Sequence, residues 1–261
     1  MIHFDLHGPE NADILLLSSG LGGSGGYWAD NIAALARHHR VVTYDQRGTG
    51  RSPADLPDPY SIDAMADDAE QVLDRIGAKS CRFIGHALGG LIGMTLAARN
   101  PGRISHLVII NGWLQPDPHT ARCFAVRRNL LLDSGIAPYI RAQPLFLYPS
   151  RWMSEQEQRL ARDEAHALEN FQGIDNTMRR IAALLAFDGG PLAHDITCRT
   201  LLIASEDDML VPPVCSERLH AALPDAQLVR LNGGHACNIT QPRDFETLCL
   251  AFLEQNTHPQ T

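Results

Sequence analysis

Six short apolar runs punctuate the chain, and longer amphipathic stretches separate them. The runs are Ile14–Ser18 (ILLLS), Arg40–Tyr44 (RVVTY), Ser80–Ile84 (SCRFI), His106–Ile110 (HLVII), Thr200–Ala204 (TLLIA) and Gln227–Leu231 (QLVRL). A strand covered on both faces reads as a continuous apolar run, not as an alternating one. Between the second and third runs, Ser61–Ile76 carries Ile62, Met65, Ala69, Val72 and Leu73 at helical spacing. Strand–helix alternation of this kind predicts an α/β fold, a mostly parallel sheet with helices on both faces.

One gap breaks the rhythm. From Trp113 to Pro191 no strand pattern occurs, and helical periods run over Cys123–Leu132, Glu155–Asn170 and Asn176–Ala186. This stretch is expected to be a helical cap inserted over the C-terminal edge of the sheet. Residues 1–112 and 192–261 then form the core and 113–191 the cap, within a single domain overall. No internal repeat or low-complexity tract interrupts this plan.

Charge and cysteine content narrow the partners. The formal net charge of −8 argues against nucleic acid or an anionic membrane surface, both of which call for a basic face. Apolar residues make up 44% and charged residues 20%, ordinary values for a globular domain. The six cysteines (81, 123, 198, 215, 237 and 249) show no C-x-x-C or metal-ligand spacing, which fits reduced thiols in a cytoplasmic protein. Met1–Glu10 lacks the apolar stretch of a signal peptide, and no apolar run approaches membrane-spanning length. The end, Glu254–Thr261, reads as a frayed tail. A small-molecule substrate is the expected partner, with neither cofactor nor metal. A homodimer remains open.

The run SCRFI leads directly into Gly85-His86-Ala87-Leu88-Gly89, and an Ala/Gly-rich helix over Gly90–Ala98 is expected to follow. Strand, G-x-x-x-G and helix in that order make the context of a nucleophile elbow, whose glycines permit a tight turn. The central position normally holds serine. Here it holds Ala87.

The other parts follow in the expected chain order. Asp208 precedes Val211-Pro212 at the D-x-x-V-P spacing of a triad acid, with Asp207 as an adjacent competitor. His235, in Gly233-Gly234-His235-Ala236, is the natural base. An oxyanion hole needs two preorganised N–H groups. Leu88 is expected to supply one. Leu21 is expected to supply the other, from the loop Ser18–Gly26, where Ser19-Gly20 stands in an H-G-x-type pattern with serine for histidine. Ser19 and Gly20 are candidate binding residues with it. The glycine spacing of that loop does not fit a dinucleotide site. Asp45–Ser52 (DQRGTGRS) is read as fold evidence and not as a site.

Several other residues have plainer readings. His86 is expected to be packed. Cys237 does not face an oxyanion hole. Ser24, like Ser19, is expected to hydrogen-bond a ligand or its own loop. Trp28, Trp113 and Trp152 line the core or cap. Arg122, Arg127, Arg128, Arg141, Arg151, Arg179 and Arg180 fall mostly on solvated helix faces, with one or two free to turn inward and hold a carboxylate.

The segments SSGLGGSGGYW, VVTYDQRGTG, IGHALGGLIGM, NGWL, AQPLFLYPS-RWM, ALENFQG, SEDDMLVP and GGHACNIT together resemble the pyrimidine-utilisation protein D (RutD) family of α/β hydrolases. The resemblance spans nearly the whole chain, and that family is similar in having alanine inside the elbow. It implies an α/β-hydrolase fold and a bacterial cytosolic hydrolase of uracil degradation, acting on carbamate or aminoacrylate. Both compounds also decay unaided.

Loss of the serine removes the covalent path. A His–Asp pair still supplies acid–base catalysis of about 10²–10⁴-fold, enough only for a labile substrate. Two alternatives stay open: a Ser-to-Ala variant of an ordinary serine hydrolase, and a catalytically silent protein that binds small acids.

Overall fold

The structure is a computed structural model and describes residues 1–255. Residues 256–261, most of the expected frayed tail, lie outside it. Among the described residues, seven strands form one sheet. They are β1 (Phe4–His7), β2 (Ile14–Ser18), β3 (Arg40–Tyr44), β4 (Cys81–His86), β5 (Ile104–Ile110), β6 (Arg199–Ser205) and β7 (Ala226–Leu231), in the order β1-β3-β2-β4-β5-β6-β7. All neighbours are parallel except β1, which pairs antiparallel with β3 and sets Phe4 opposite Tyr44.

The apolar runs are continuous because each strand feeds two cores. Leu15, Leu17, Val41, Ile84, Val108, Ile110, Leu201 and Ile203 point into one buried cluster with Trp28, Leu35 and Phe245. Leu16, Val42, Phe83, Leu107, Ile109 and Leu202 point into the other, with Met65, Leu73, Leu91 and Ile92. Alternate side chains leave opposite faces of a strand, so an apolar residue is needed at every position. The helix Ile62–Arg75 supplies Met65 and Leu73, and the Ser61 hydroxyl caps its start by accepting from the Ala64 N–H at 3.2 Å.

Several strand ends shift by one or two residues from the sequence reading, and two boundaries at the elbow matter. β4 runs on through Gly85 and His86, since both still pair with β5 opposite Ile109 and Ile110. The following helix begins at once, at Leu88 instead of Gly90, and ends at Arg99. The whole turn is thus Ala87. The edge strand β1 escaped the sequence reading because its FDLH segment carries no apolar run, and its residues are only partly buried.

Between β5 and β6 the described residues form helices and no strand. The longest are Pro118–Asn129, Ile136–Leu147, Glu157–Glu169 and Ile174–Ala186. The period expected over Cys123–Leu132 ends as α-helix at Asn129 and continues as a π-turn over Leu130–Ser134. The period over Glu155–Asn170 is broken at Gln156. These helices are tied to the loops at the C-terminal ends of the strands. The Thr120 hydroxyl donates to the Leu210 carbonyl at 3.0 Å, the Ala236 N–H donates to the Leu147 carbonyl at 3.1 Å, and the Leu56 N–H donates to Asn176 Oδ1 at 3.1 Å. Among the described residues no helix is long and apolar enough to cross a membrane.

Candidate active site

The chain winds from β2 out to β3 and then returns to β4 on the other side of β2. The loops after β2 and β4 therefore diverge at one crevice, the place where open α/β sheets bind ligands. Ala87 sits there with φ 48° and ψ −111°. Positive φ is strained for any residue with a Cβ. The turn closes because its neighbours lack side chains. A Cβ on Gly89 would stand 2.1 Å from the Ser18 carbonyl oxygen, and one on Gly85 would stand 2.4 Å from the Gly89 carbonyl. Ala87 is 5% exposed, and its N–H donates to the Ile110 carbonyl at 2.8 Å.

The loops after β6 and β7 bring Asp208 and His235 together. Asp208 Oδ2 lies 2.7 Å from His235 Nδ1, and both side chains are buried. Asp208 Oδ1 accepts from the N–H groups of Leu210 and Val211 at 2.7 and 2.9 Å, which fixes the carboxylate. A carboxylate on Nδ1 keeps the proton there and leaves Nε2 for proton transfer. The competitor Asp207 faces elsewhere. Its Oδ1 accepts from the Gly233 and Gly234 N–H groups at 2.8 and 2.9 Å and shapes the loop that carries His235.

Two residues hold the backbone of His235. His86 Nε2–H and Asn111 Nδ2–H both donate to its carbonyl oxygen at 2.8 Å. Asn111 is itself held at φ 51° and accepts from the Ser205 N–H at 2.8 Å, so one side chain joins the ends of β5 and β6 to His235. His86 stacks on Tyr27, with ring centroids 4.9 Å apart, and meets the His235 ring edge-on at 4.7 Å. Burial, reinforced by the neighbouring His235, holds the His86 pKa well below the ordinary histidine value. A Cβ on Gly20 would stand 2.9 Å from His86 Nδ1, so the β2 loop packs directly on this ring.

That loop is gripped from one side. Gln46 Nε2–H donates to the Ser19 carbonyl at 2.8 Å. Arg180, from the helix Ile174–Ala186, donates from Nε to the Leu21 carbonyl at 3.0 Å, and from Nη2 to the Gly20 carbonyl at 3.4 Å and to Gln46 Oε1. In a trans peptide the N–H points opposite to its C=O. The Leu21 N–H therefore points away from Arg180. Leu88 opens its helix, so its N–H has no intrahelical acceptor. Ser24 bonds its own loop, accepting from the Gly26 N–H at 3.1 Å.

The motif DQRGTGRS thus does more than stabilise a turn. Asp45 does that, accepting from Gly25 N–H at 2.8 Å and from Arg51 Nε at 2.8 Å. Gln46 reaches into the site. Of the seven arginines singled out, Arg180 and Arg127 are buried. Trp28 and Trp113 are core, whereas Trp152 is half-buried against Tyr148. Cys237 is buried, and burial pushes its thiol up to about 11, so it stays protonated at neutral pH.

A sequence model of the alpha/beta hydrolase fold matches residues 13–135. Over 98% of this chain and 100% of its own length, a protein of Pseudomonas savastanoi pv. phaseolicola named "Putative carbamate hydrolase RutD" is 53% identical. The chain belongs to the RutD family. A RutD of Agrobacterium fabrum is 50% identical over 97% of this chain and 98% of its own. The likeness to these relatives therefore spans the helices between β5 and β6 as well as the sheet. Among solved structures, this chain resembles the enol-lactonase from Burkholderia xenovorans, with a TM-score of 0.89 and 26% identity over 97% of this chain and 96% of that one. A hydrolase from Pseudomonas aeruginosa gives a TM-score of 0.88 at 27% identity, over 97% and 94%.

Proposed function

We propose that this protein is a hydrolase of pyrimidine catabolism that accelerates breakdown of a small labile nitrogen compound, carbamate or aminoacrylate, by non-covalent His/Asp acid–base catalysis. One observation carries the reading: a bonded, buried Asp208–His235 pair beside an elbow whose central residue, Ala87, has no nucleophile. The carbamate hydrolase name of the RutD relatives supports the substrate class.

His235 Nε2 is the proton carrier, and Asp208 stabilises the imidazolium. With carbamate, a proton passes to the nitrogen, the C–N bond breaks, and its electron pair leaves on ammonia with carbon dioxide as the other product. With aminoacrylate, the proton passes to the enamine carbon, water adds to the resulting C=N carbon, and ammonia departs to leave an oxo acid. In both cases the substrate is an anion. The N–H groups of Leu21 and Leu88, beside Ser19 and Gly20, hold a carboxylate oxygen. The expected gain is about 10²–10⁴-fold over the spontaneous rate.

The test follows ammonia release from each compound, generated in situ, with no protein, with wild type and with His235→Ala. Acceleration by wild type that the variant lacks is the expected outcome. Equal release in all three samples would sink the reading.

A further inference from the structure

Arg180 is fully buried, yet every group it bonds is neutral: the carbonyls of Gly20 and Leu21, and the amide oxygen of Gln46. Its Nη1 is buried with no hydrogen-bond partner among the described residues. Asp68, the carboxylate whose charge reaches it, is committed to Arg47, whose Nε lies 2.9 and 3.2 Å from its two oxygens. Burial lowers the Arg180 pKa to about 10, so the guanidinium remains charged at neutral pH. A buried charge without a counter-ion is costly, and a bound anion would offset that cost. Arg127, the other buried arginine between β5 and β6, also bonds a neutral oxygen, Gln143 Oε1, and has a buried Nε with no partner among the described residues, but its charge rests over the Phe124 and Phe146 rings at 4.8 and 5.6 Å, away from the β2 loop.

The position of the charge matters as much as its burial. Arg180 draws the Gly20 carbonyl to one side, which turns the N–H of the same peptide, that of Leu21, to the other, and its bond to the Leu21 carbonyl steadies the next peptide. A cation on the carbonyl of a peptide polarises it and strengthens its N–H as a donor. We propose that Arg180 is the specificity-determining residue of the site: it aims the Leu21 N–H at the ligand and biases the hole toward a carboxylate over a neutral carbonyl. This rests on the reading of Leu21 N–H as a donor to the substrate's carboxylate oxygen.

The test is calorimetric titration of the full chain with acrylate and with acrylamide, which differ in charge but hardly in shape. Wild type should bind acrylate at least about tenfold more tightly. Arg180→Gln keeps donors for the carbonyls and removes the charge, and should bring the acrylate/acrylamide ratio close to one. Arg180→Lys, which keeps the charge, should hold a ratio above that of Arg180→Gln. A merely structural role would weaken both ligands alike and leave the ratio unchanged. Should Arg180→Gln fail to fold, Gln46→Met decides, since it leaves Arg180 in place and removes the bond that orients it. Its ratio should fall about threefold or more. No discrimination by wild type, or an unchanged ratio in the deciding variant, overturns the inference. If wild type discriminates between the probes but fails to accelerate decay of carbamate or aminoacrylate, the proposed function falls and the inference about Arg180 stands.

Discussion

His86 donates its Nε2 proton to the backbone carbonyl oxygen of His235 at 2.8 Å, which ties His235 to the last residue of β4. His86→Leu leaves that carbonyl to Asn111 alone. A loss of about 1–3 kcal/mol in urea unfolding is expected, with a lower ammonia-release rate. His86→Gln retains a donor and should recover part of both. A His86→Leu protein with wild-type stability and rate would show that the bond is incidental.

Acid should weaken the fold above the carboxylate range. His86 and His106 are held below the ordinary histidine value by burial, and burial brings His39 down to about 4. Below about pH 6.5 the unfolded chain therefore binds more protons than the folded one. The stability from these groups is complete above about pH 6.5 and is lost as pH falls toward about 4. Urea midpoints should drop over that window, and more gently in His39→Asn, since the His39 ring nitrogens have no hydrogen-bond partners among the described residues. A midpoint that is flat until the carboxylates titrate would contradict this.

Asp207 and Asp208 should separate cleanly. In Asp208→Asn the Oδ1 contacts to Leu210 and Val211 survive, but an amide N–H then faces His235 Nδ1. Stability should change little, and acceleration should fall by about 10²-fold or more. Asp207→Ala frees the Gly233 and Gly234 N–H groups and should lower the melting temperature more than Asp208→Asn does. Thermal melts beside rate measurements read both effects, and the reverse ranking would exchange the roles of the two acids.

Ala87→Gly should not follow the usual penalty for glycine. At φ 48° and ψ −111° the alanine carries strain of about 1–3 kcal/mol, which glycine relieves. Stability equal to or above wild type in urea unfolding is the expected result. A clear loss would mean that the Ala87 methyl group packs better than its backbone suffers.

The sheet was legible because two apolar cores write a continuous pattern into each internal strand. Ile14–Ser18 and Arg40–Tyr44 are found with the boundaries that their apolar runs suggest. β1 was not legible, because an edge strand with one partner and partial burial needs no such run. The elbow, the acid and the histidine could be located because each sits at a fixed offset from a strand end, and the structure sets the last two 2.7 Å apart. The D-x-x-V-P spacing favours Asp208 over Asp207 because the Asp208 carboxylate accepts from the local Leu210 and Val211 N–H groups, whereas the Asp207 bonds to Gly233 and Gly234 lie far along the chain and leave no local signal. Asn111 and His86 act through the backbone of a residue far along the chain, for which a sequence has no local signal. Arg180 did leave a trace. It shares a helical face with Thr177, Ile181 and Leu184, all buried, and an arginine on such a stripe marks a charge turned inward.

The bonds from Arg180 to Gly20 and Leu21 join a helix of the insertion to the loop after β2. They act as a mechanical interlock: any displacement that lifts the helix also frees the Gly20 and Leu21 carbonyls, leaving the loop to Gln46 alone on that side. On the proposed role of Leu21, an opened site would be a disarmed one, its N–H donor aimed only while the helix is seated against the loop.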